Sequence, residues 1–277
     1  MSSRVERAER SGAEWARAEA VAVGAFALRN VQMASRNVFL IFELLFWPVV
    51  GVLGIGLMAR FLELSPAATS FVLIGQIAFS TVSVCQLDVA YAVLYDVWSK
   101  SVKHQFLAPI GVRHLTVGSW LVGILRAVIV FAILAALGRW AFAFDALRAG
   151  IGPLATFVVG CCLTAWVVSV LVCALIMRLG ARAETAAWAS VNFVLTLAGI
   201  YYSVAVLPGP VAAIAAAIPL TYFLDAYRAH YGFPAEFAYP LITGTALAVV
   251  YVVLSHWALV AAVRSSRRSG LLLKMSE

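Results

Sequence analysis

Three ionisable residues stand inside apolar stretches long enough to cross a bilayer: Glu43, Asp88 and Arg126. Charge inside a membrane span is costly, so each is a candidate for function as an ion relay, an ion pair or a polar point on a substrate path. Arg126 lies about 13 residues beyond Arg113, roughly 20 Å into the membrane at the helical rise. Glu43 lies about 7 residues beyond Arg36, roughly 10 Å deep by the same rise. The axial gap of about 10 Å makes a direct Glu43–Arg126 pair marginal even for a long Arg side chain. Asp88 is shallower still. Arg126 can also cap backbone carbonyls or face water, so a packing role and a path role both stay open.

Other chemistry is excluded by residue type and spacing. A phosphate-binding loop needs a glycine-rich run before Lys and Ser or Thr. The lysines are Lys100, Lys103 and Lys274; Lys100 precedes Ser101, but no glycine-rich run comes before it. Zinc-protease spacing and a Gly-x-Ser-x-Gly elbow are absent. His104, His114, His230 and His256 are scattered, and Cys85, Cys161, Cys162 and Cys173 fall in apolar runs without metal or disulfide spacing. The chain reads as no enzyme, with no catalytic residue, metal or cofactor of its own.

Aromatic side chains gather on two of the apolar segments. Phe39, Phe42 and Phe46 share one face of the first, beside Glu43 and Trp47; Trp188, Phe193, Tyr201 and Tyr202 stand on the fifth. Such a lining suits sugars by ring stacking or amphipathic lipids by apolar contact, although aromatics at span ends also serve as interface anchors. Leu94, Trp98, Val102 and Phe106 repeat at i, i+4, i+8 and i+12, an apolar helical stripe ended by Pro109 and Gly111, with Lys100, Lys103 and His104 pointing elsewhere. A short helix of this kind can dock into a groove on a soluble partner, or rest on lipid headgroups.

The elements that position these residues follow from composition. The 277 residues are 64% hydrophobic, with formal charge +7 and mean hydropathy +0.97, and a bilayer crossing takes about 20 apolar residues. Six such segments are expected: Val38–Met58, Ala67–Tyr91, Leu115–Leu137, Ile151–Met177, Glu184 to about Val206, and Phe237–Val263. Of the 20 Lys and Arg, 15 fall in segments on one side of this layout and 4 on the other, with Arg126 inside a span. The positive-inside rule then puts both termini in the cytoplasm, and explains the basic residues without nucleic acid. No cleavable signal peptide is expected, because Met1–Ala20 is charged throughout. Glu6–Arg10 and Glu14–Arg17 support a solvated helix there. From Val21 to Asn37, Arg29, Gln32 and Arg36 form a polar stripe that suits a helix on the cytoplasmic membrane surface, or a plain cytoplasmic extension. The expected architecture is thus an all-α polytopic membrane protein: a cytoplasmic or interfacial segment 1–37, a six-helix domain 38–263, and a basic tail 264–277.

One stretch breaks the pattern of plain spans. After the fifth segment come Leu207-Pro208-Gly209-Pro210, a small-residue helix and Pro219-Leu220-Thr221-Tyr222, then Arg228. Irregular backbone at membrane depth is tolerated only inside protein or along a cavity. With Gly199, these residues resemble the signature of the permease subunits of type-2 ABC exporters, the polysaccharide and drug exporter class. Leu107-Ala108-Pro109 before Arg113 is similar to the element after their second helix, with one residue between Leu and Pro where two are usual. The resemblance implies a re-entrant hairpin between helices 5 and 6, with Pro208, Pro219, Tyr222 and Arg228 as its gate. It implies a cytoplasmic coupling helix between helices 2 and 3, with Leu94, Trp98, Val102, Phe106 and Pro109 against an ATPase. Helices 1, 2 and 5 would line the path, placing Phe39, Phe42, Glu43, Phe46, Trp188, Phe193 and Tyr201 along it and leaving Arg126 and Asp88 as buried charge. The implied protein is an exporter subunit in the inner membrane, moving an amphipathic or lipid-linked substrate as a homodimer with two ATPase copies that carry ATP and Mg. An ion-coupled carrier using Glu43, Asp88 and Arg126 is the alternative.

Overall fold

The computed structural model describes residues 12–36, 38–101 and 111–269. Among them the chain is helical: α1 (Gly12–Ser35), α2 (Val38–Phe61), α3 (Pro66–Trp98), α4 (Val112–Phe142), α5 (Ile151–Leu179), α6 (Glu184–Leu197), α7 (Gly209–Ala216), α8 (Pro219–Ala229) and α9 (Pro240–Arg268). Five of these, α2, α3, α4, α5 and α9, are long and apolar enough to cross a membrane. The protein is a multi-pass membrane protein.

Helices α3 and α5 form the centre. Of their apolar spans 61% and 78% are buried, against 22% for α2 and 28% for α9, which flank the bundle. The central position of α3 follows from its partners: α2, α4, α5, α6 and α8 all pack on it. Pro66 occupies its first turn, where no N–H is missed, and Ser65 Oγ accepts from Ala68 N at 3.2 Å. Its 33 residues extend roughly 50 Å, well beyond a hydrocarbon core of about 30 Å.

That length corrects one expectation. The residues read as the start of a separate amphipathic helix are the last turns of α3. Leu94 is fully buried in the bundle, and Trp98 is half-exposed at the helix end. Ser99 caps α3, its Oγ donating to the Tyr95 carbonyl at 2.6 Å, and Lys100 takes a left-handed φ of 56°. The helix that carries Leu94 therefore ends at Trp98, before Val102. Val102, Phe106 and Pro109 lie outside the described residues.

The fifth apolar segment is also not one helix. α6 has 14 residues, roughly 21 Å, and stops before Gly199. The α7–α8 pair then bends by 90°. Its flanks meet: the Ser203 hydroxyl bonds the Glu236 carboxylate, and Asp225 accepts from the backbone N–H groups of Glu236 (3.0 Å) and Phe237 (3.2 Å). Pro48 sits inside α2 without breaking it.

At the opposite end of the bundle, α1 lies across α4 and touches α2. Arg29 pairs with Asp96 of α3, and Glu19 bonds Arg113 (2.5 Å) and His114 Nε2 (2.9 Å) of α4. Nδ1 of His114 lies 2.9 Å from Gly111 N and 3.1 Å from Gly111 O, so the ring is held at both nitrogens. Gln32 and Arg36, the rest of the expected polar stripe, are exposed.

Candidate functional site: a broken helix and the cavity beside it

The backbone after α6 is irregular, so its carbonyls have no helical partners and need donors from elsewhere. Gly199 turns there with φ 72°, a conformation that costs a glycine little. The carbonyls of Gly199 and Ile200 are taken by one side chain. Arg228 of α8 donates from Nη1 to Gly199 O (2.7 Å) and from Nη2 to Ile200 O (2.5 Å) and Phe71 O (3.2 Å). Its guanidinium carbon lies 3.5 Å from the Phe71 ring centroid, and the residue is 5% exposed. Among the described residues no carboxylate pairs with it. Carbonyl oxygens and a π face replace the counter-ion. Gly75 lets this happen, because a Cβ there would collide with the Ile200 carbonyl.

The bend between α7 and α8 is closed in the same way. Thr221 Oγ1 donates to Ala215 O and Tyr222 OH to Ala216 O, both at 2.8 Å, so side chains at the start of α8 serve the last carbonyls of α7. Pro219 begins α8, where its missing N–H costs nothing. Farther on, Tyr227 OH and Tyr231 OH reach Ala146 O (2.6 Å) and Asp145 O (2.8 Å) in the turn before α5. Burial pushes the Tyr231 phenol above its ordinary value, so it stays a donor. Tyr222, Pro219 and Arg228 are thus buried fasteners of the bent pair, while Pro208 is exposed at the start of α7.

A cavity of about 470 Å³ opens between α2, α3 and α6. Trp47, Phe79 and Tyr91 give it aromatic walls; Gln76, Ser80 and Asn192 are among its polar points. One end is closed by a junction of three segments. Tyr201 OH donates to Gln76 Oε1 at 2.5 Å, Gln76 Nε2 donates to Ser80 Oγ at 3.3 Å, and the Gln76 amide lies where a Cβ on Gly51 would be. Of the path residues expected from sequence, Tyr201 reaches the cavity through this bond. Phe42, Phe46 and Phe193 are exposed and are not among its lining residues, with Phe42 and Phe46 stacked at 5.0 Å. The side chains of Phe39, Glu43 and Trp188 lie outside the described set.

Arg126 finds Asp88. The two form an ion pair between α4 and α3, with Asp88 3% and Arg126 17% exposed at the side chain. Asp88 stands about 100° round the helix from Leu87, which lines the cavity. Neither charge is among the lining residues. Sequence reasoning had considered Glu43 first, because depth was counted along separate helices without their relative slide. It also passed over Ser80, Ser83 and Asn192. The available signal was uncharged polar residues at i, i+4 and i+7 in an apolar helix, which reads as ordinary serine content until a cavity faces it.

No protein-family model matches the chain. Over 46 residues it is 41% identical to an uncharacterized protein of Archaeoglobus fulgidus, a stretch covering 17% of this chain and 72% of that one. The matched stretch puts this chain in one family with that short archaeal protein, whose description states no activity.

Proposed function

We propose that this chain is the membrane subunit of an ATP-driven exporter of the type-2 ABC class, moving an amphipathic or lipid-linked substrate by alternating access. The observation that carries the reading is the broken fifth segment. A helix that ends at Gly199, a bent pair after it, and Arg228 reaching back to the break give a physical role to the residues on which the resemblance rests. The layout would have six spans, with α6 and the backbone after it as the fifth and α7–α8 as a re-entrant hairpin. Both termini would be cytoplasmic. α2, α3 and α6, the first, second and fifth membrane segments, would line the path, and their cavity supports that role. Two copies would assemble with two copies of a separate ATPase, which would meet the surface around Trp98 and the loop after it and carry ATP and Mg.

The test is copurification of the chain with the ATPase encoded beside it, followed by a screen for compounds that stimulate hydrolysis. A stable complex with compound-stimulated turnover is expected, and Trp98→Ala should weaken it. A chain that transports alone, driven by an ion gradient, would overturn the reading. The specific observation favouring that rival, an ion-coupled carrier, is the buried Asp88–Arg126 pair. Topology is tested with single cysteines at Ser65, Ser101, Leu147 and Ser269, of which Leu147 is exposed in the turn before α5. A membrane-impermeant thiol reagent should label Ser65 and Leu147 positions in intact cells and spare the other two. The native thiols are buried and add little background.

A further inference from the structure

The cavity between α2, α3 and α6 is polar along one stripe and uncharged among its described lining residues. Gln76, Ser80 and Ser83 follow at i, i+4 and i+7, one face of α3. Gln86 flanks this stripe and Asn192 faces it from α6. The opposing wall, from α2, is apolar and includes Trp47. None of the described lining residues carries a charge, and the ion pairs of α3 among the described residues, Asp88–Arg126 and Asp96–Arg29, join α4 and α1 instead. Ser83 Oγ is buried and has no partner among the described residues, an arrangement that asks for a partner from outside the protein.

We propose that this cavity binds the uncharged, hydroxyl- or amide-bearing part of an amphipathic molecule, with its hydrogen-bonding groups on the α3 stripe and its apolar body against Trp47 and the α2 wall. The proposal rests on the exporter reading only in calling that molecule a substrate. The physical reason is selective. A hydroxyl leaving water finds amide and hydroxyl partners of both donor and acceptor type along the stripe. A phosphate or ammonium entering the same space loses its hydration and meets no counter-charge among the described lining residues, a cost that uncharged dipoles offset poorly. A hydrocarbon chain alone gains nothing over bilayer lipid, so it leaves the stripe unserved. The cavity therefore discriminates by charge state and by hydrogen-bonding edge.

The experiment uses photoreactive probes of one alkyl chain length, bearing a glucoside, a phosphate or a trimethylammonium head, on the full chain in nanodiscs. Cross-linked peptides are mapped by mass spectrometry, and saturable labelling is defined by competition with excess unreactive probe of the same head. The glucoside should label 44–51 and 76–91 saturably, at least tenfold above the other two heads. Ser83→Ala removes a hydroxyl with no protein partner, so the fold should be unchanged, while saturable glucoside labelling falls several-fold. Gln76→Leu should reduce it further, with unsaturable labelling of α9 as the check on folding. Equal labelling by all three heads, or no response to either substitution, overturns the proposal. Because binding is read without an ATPase, glucoside selectivity in a chain that retains no ATPase would support this inference and count against the exporter reading. An ATPase complex with indiscriminate labelling would do the reverse.

Discussion

Two arginines, Arg126 and Arg228, carry the same guanidinium into low-polarity surroundings and meet different company. Arg126 of α4 faces a carboxylate, Asp88, one helix away. Arg228 of α8 faces three backbone carbonyls and the Phe71 ring. The first pair could be deleted from both sides and replaced by packed hydrocarbon at little cost. The second could not, because backbone carbonyls cannot be mutated away. A broken helix at membrane depth requires donors from elsewhere. Buried charge therefore marks two different things in one molecule: a pair joining two intact helices, and a fastener for a helix that ends early.

Substitutions can break or sharpen this contrast. The largest effect is expected from Asp88→Ala, which leaves Arg126 buried without a carboxylate and should cost about 3–5 kcal/mol in detergent unfolding. Arg126→Leu added to it should recover most of that loss. If the double variant folds but loses all transport, the pair is more than a structural join, and the ion-coupled reading gains.

Arg228→Ala comes next, at about 3 kcal/mol, since buried carbonyls left unpaired cost roughly 1–3 kcal/mol each and neighbours relax in part. Here no second substitution in the protein should rescue it. Arg228→Lys should recover less than half, because a point ammonium cannot serve three carbonyls as a planar fork does. Full rescue by Lys would mean that charge, not geometry, holds the break. Both variants are read by thermal unfolding and by protease access to 203–209.

Smaller effects test the junction and the far end. Tyr201→Phe leaves Gln76 Oε1 without its donor and should cost about 1 kcal/mol; it should also raise labelling of a cysteine at Ser80 if the junction closes the cavity. Glu19→Gln weakens contacts whose Arg113 partner is half-exposed, so a change of about 0.5 kcal/mol is expected. A much larger loss would show that α1 holds the bundle as firmly as Arg228 holds the break.

Much of the fold was legible because apolar length is a property of the chain alone. The first four segments and the last appear as α2, α3, α4, α5 and α9; the first four run past their apolar stretches by turns that need only a cap, while α9 begins at Pro240, inside the expected start at Phe237, and runs on to Arg268. Ser65 with Pro66, and Ser99 with Lys100, set such ends by local chemistry. The fifth segment was misread as one helix because its apolar run continues through Gly199, and hydropathy does not register a φ of 72°. The first part of the stripe, Leu94 and Trp98, belongs to the end of α3, because period alone does not reveal that a helix stops at Trp98.

Partnerships across helices lay beyond the sequence. Counted depth makes Glu43 marginal for Arg126 and sets Asp88 shallower still, and only the placement of α4 against α3 brings Asp88 to it. Tyr201 was named as a path residue for its ring; its hydroxyl on Gln76, beside Gly51, depends on three segments meeting. The sequence by itself determined that this is a multi-pass, helical membrane protein with an interruption near Pro208, since bilayer thickness and backbone hydrogen bonding act on each segment separately. Tertiary structure alone decided which face of α3 lines a cavity, which buried arginine has a counter-ion, and which closes a broken helix. Those outcomes are set by distances between segments far apart in the chain, which no local pattern encodes.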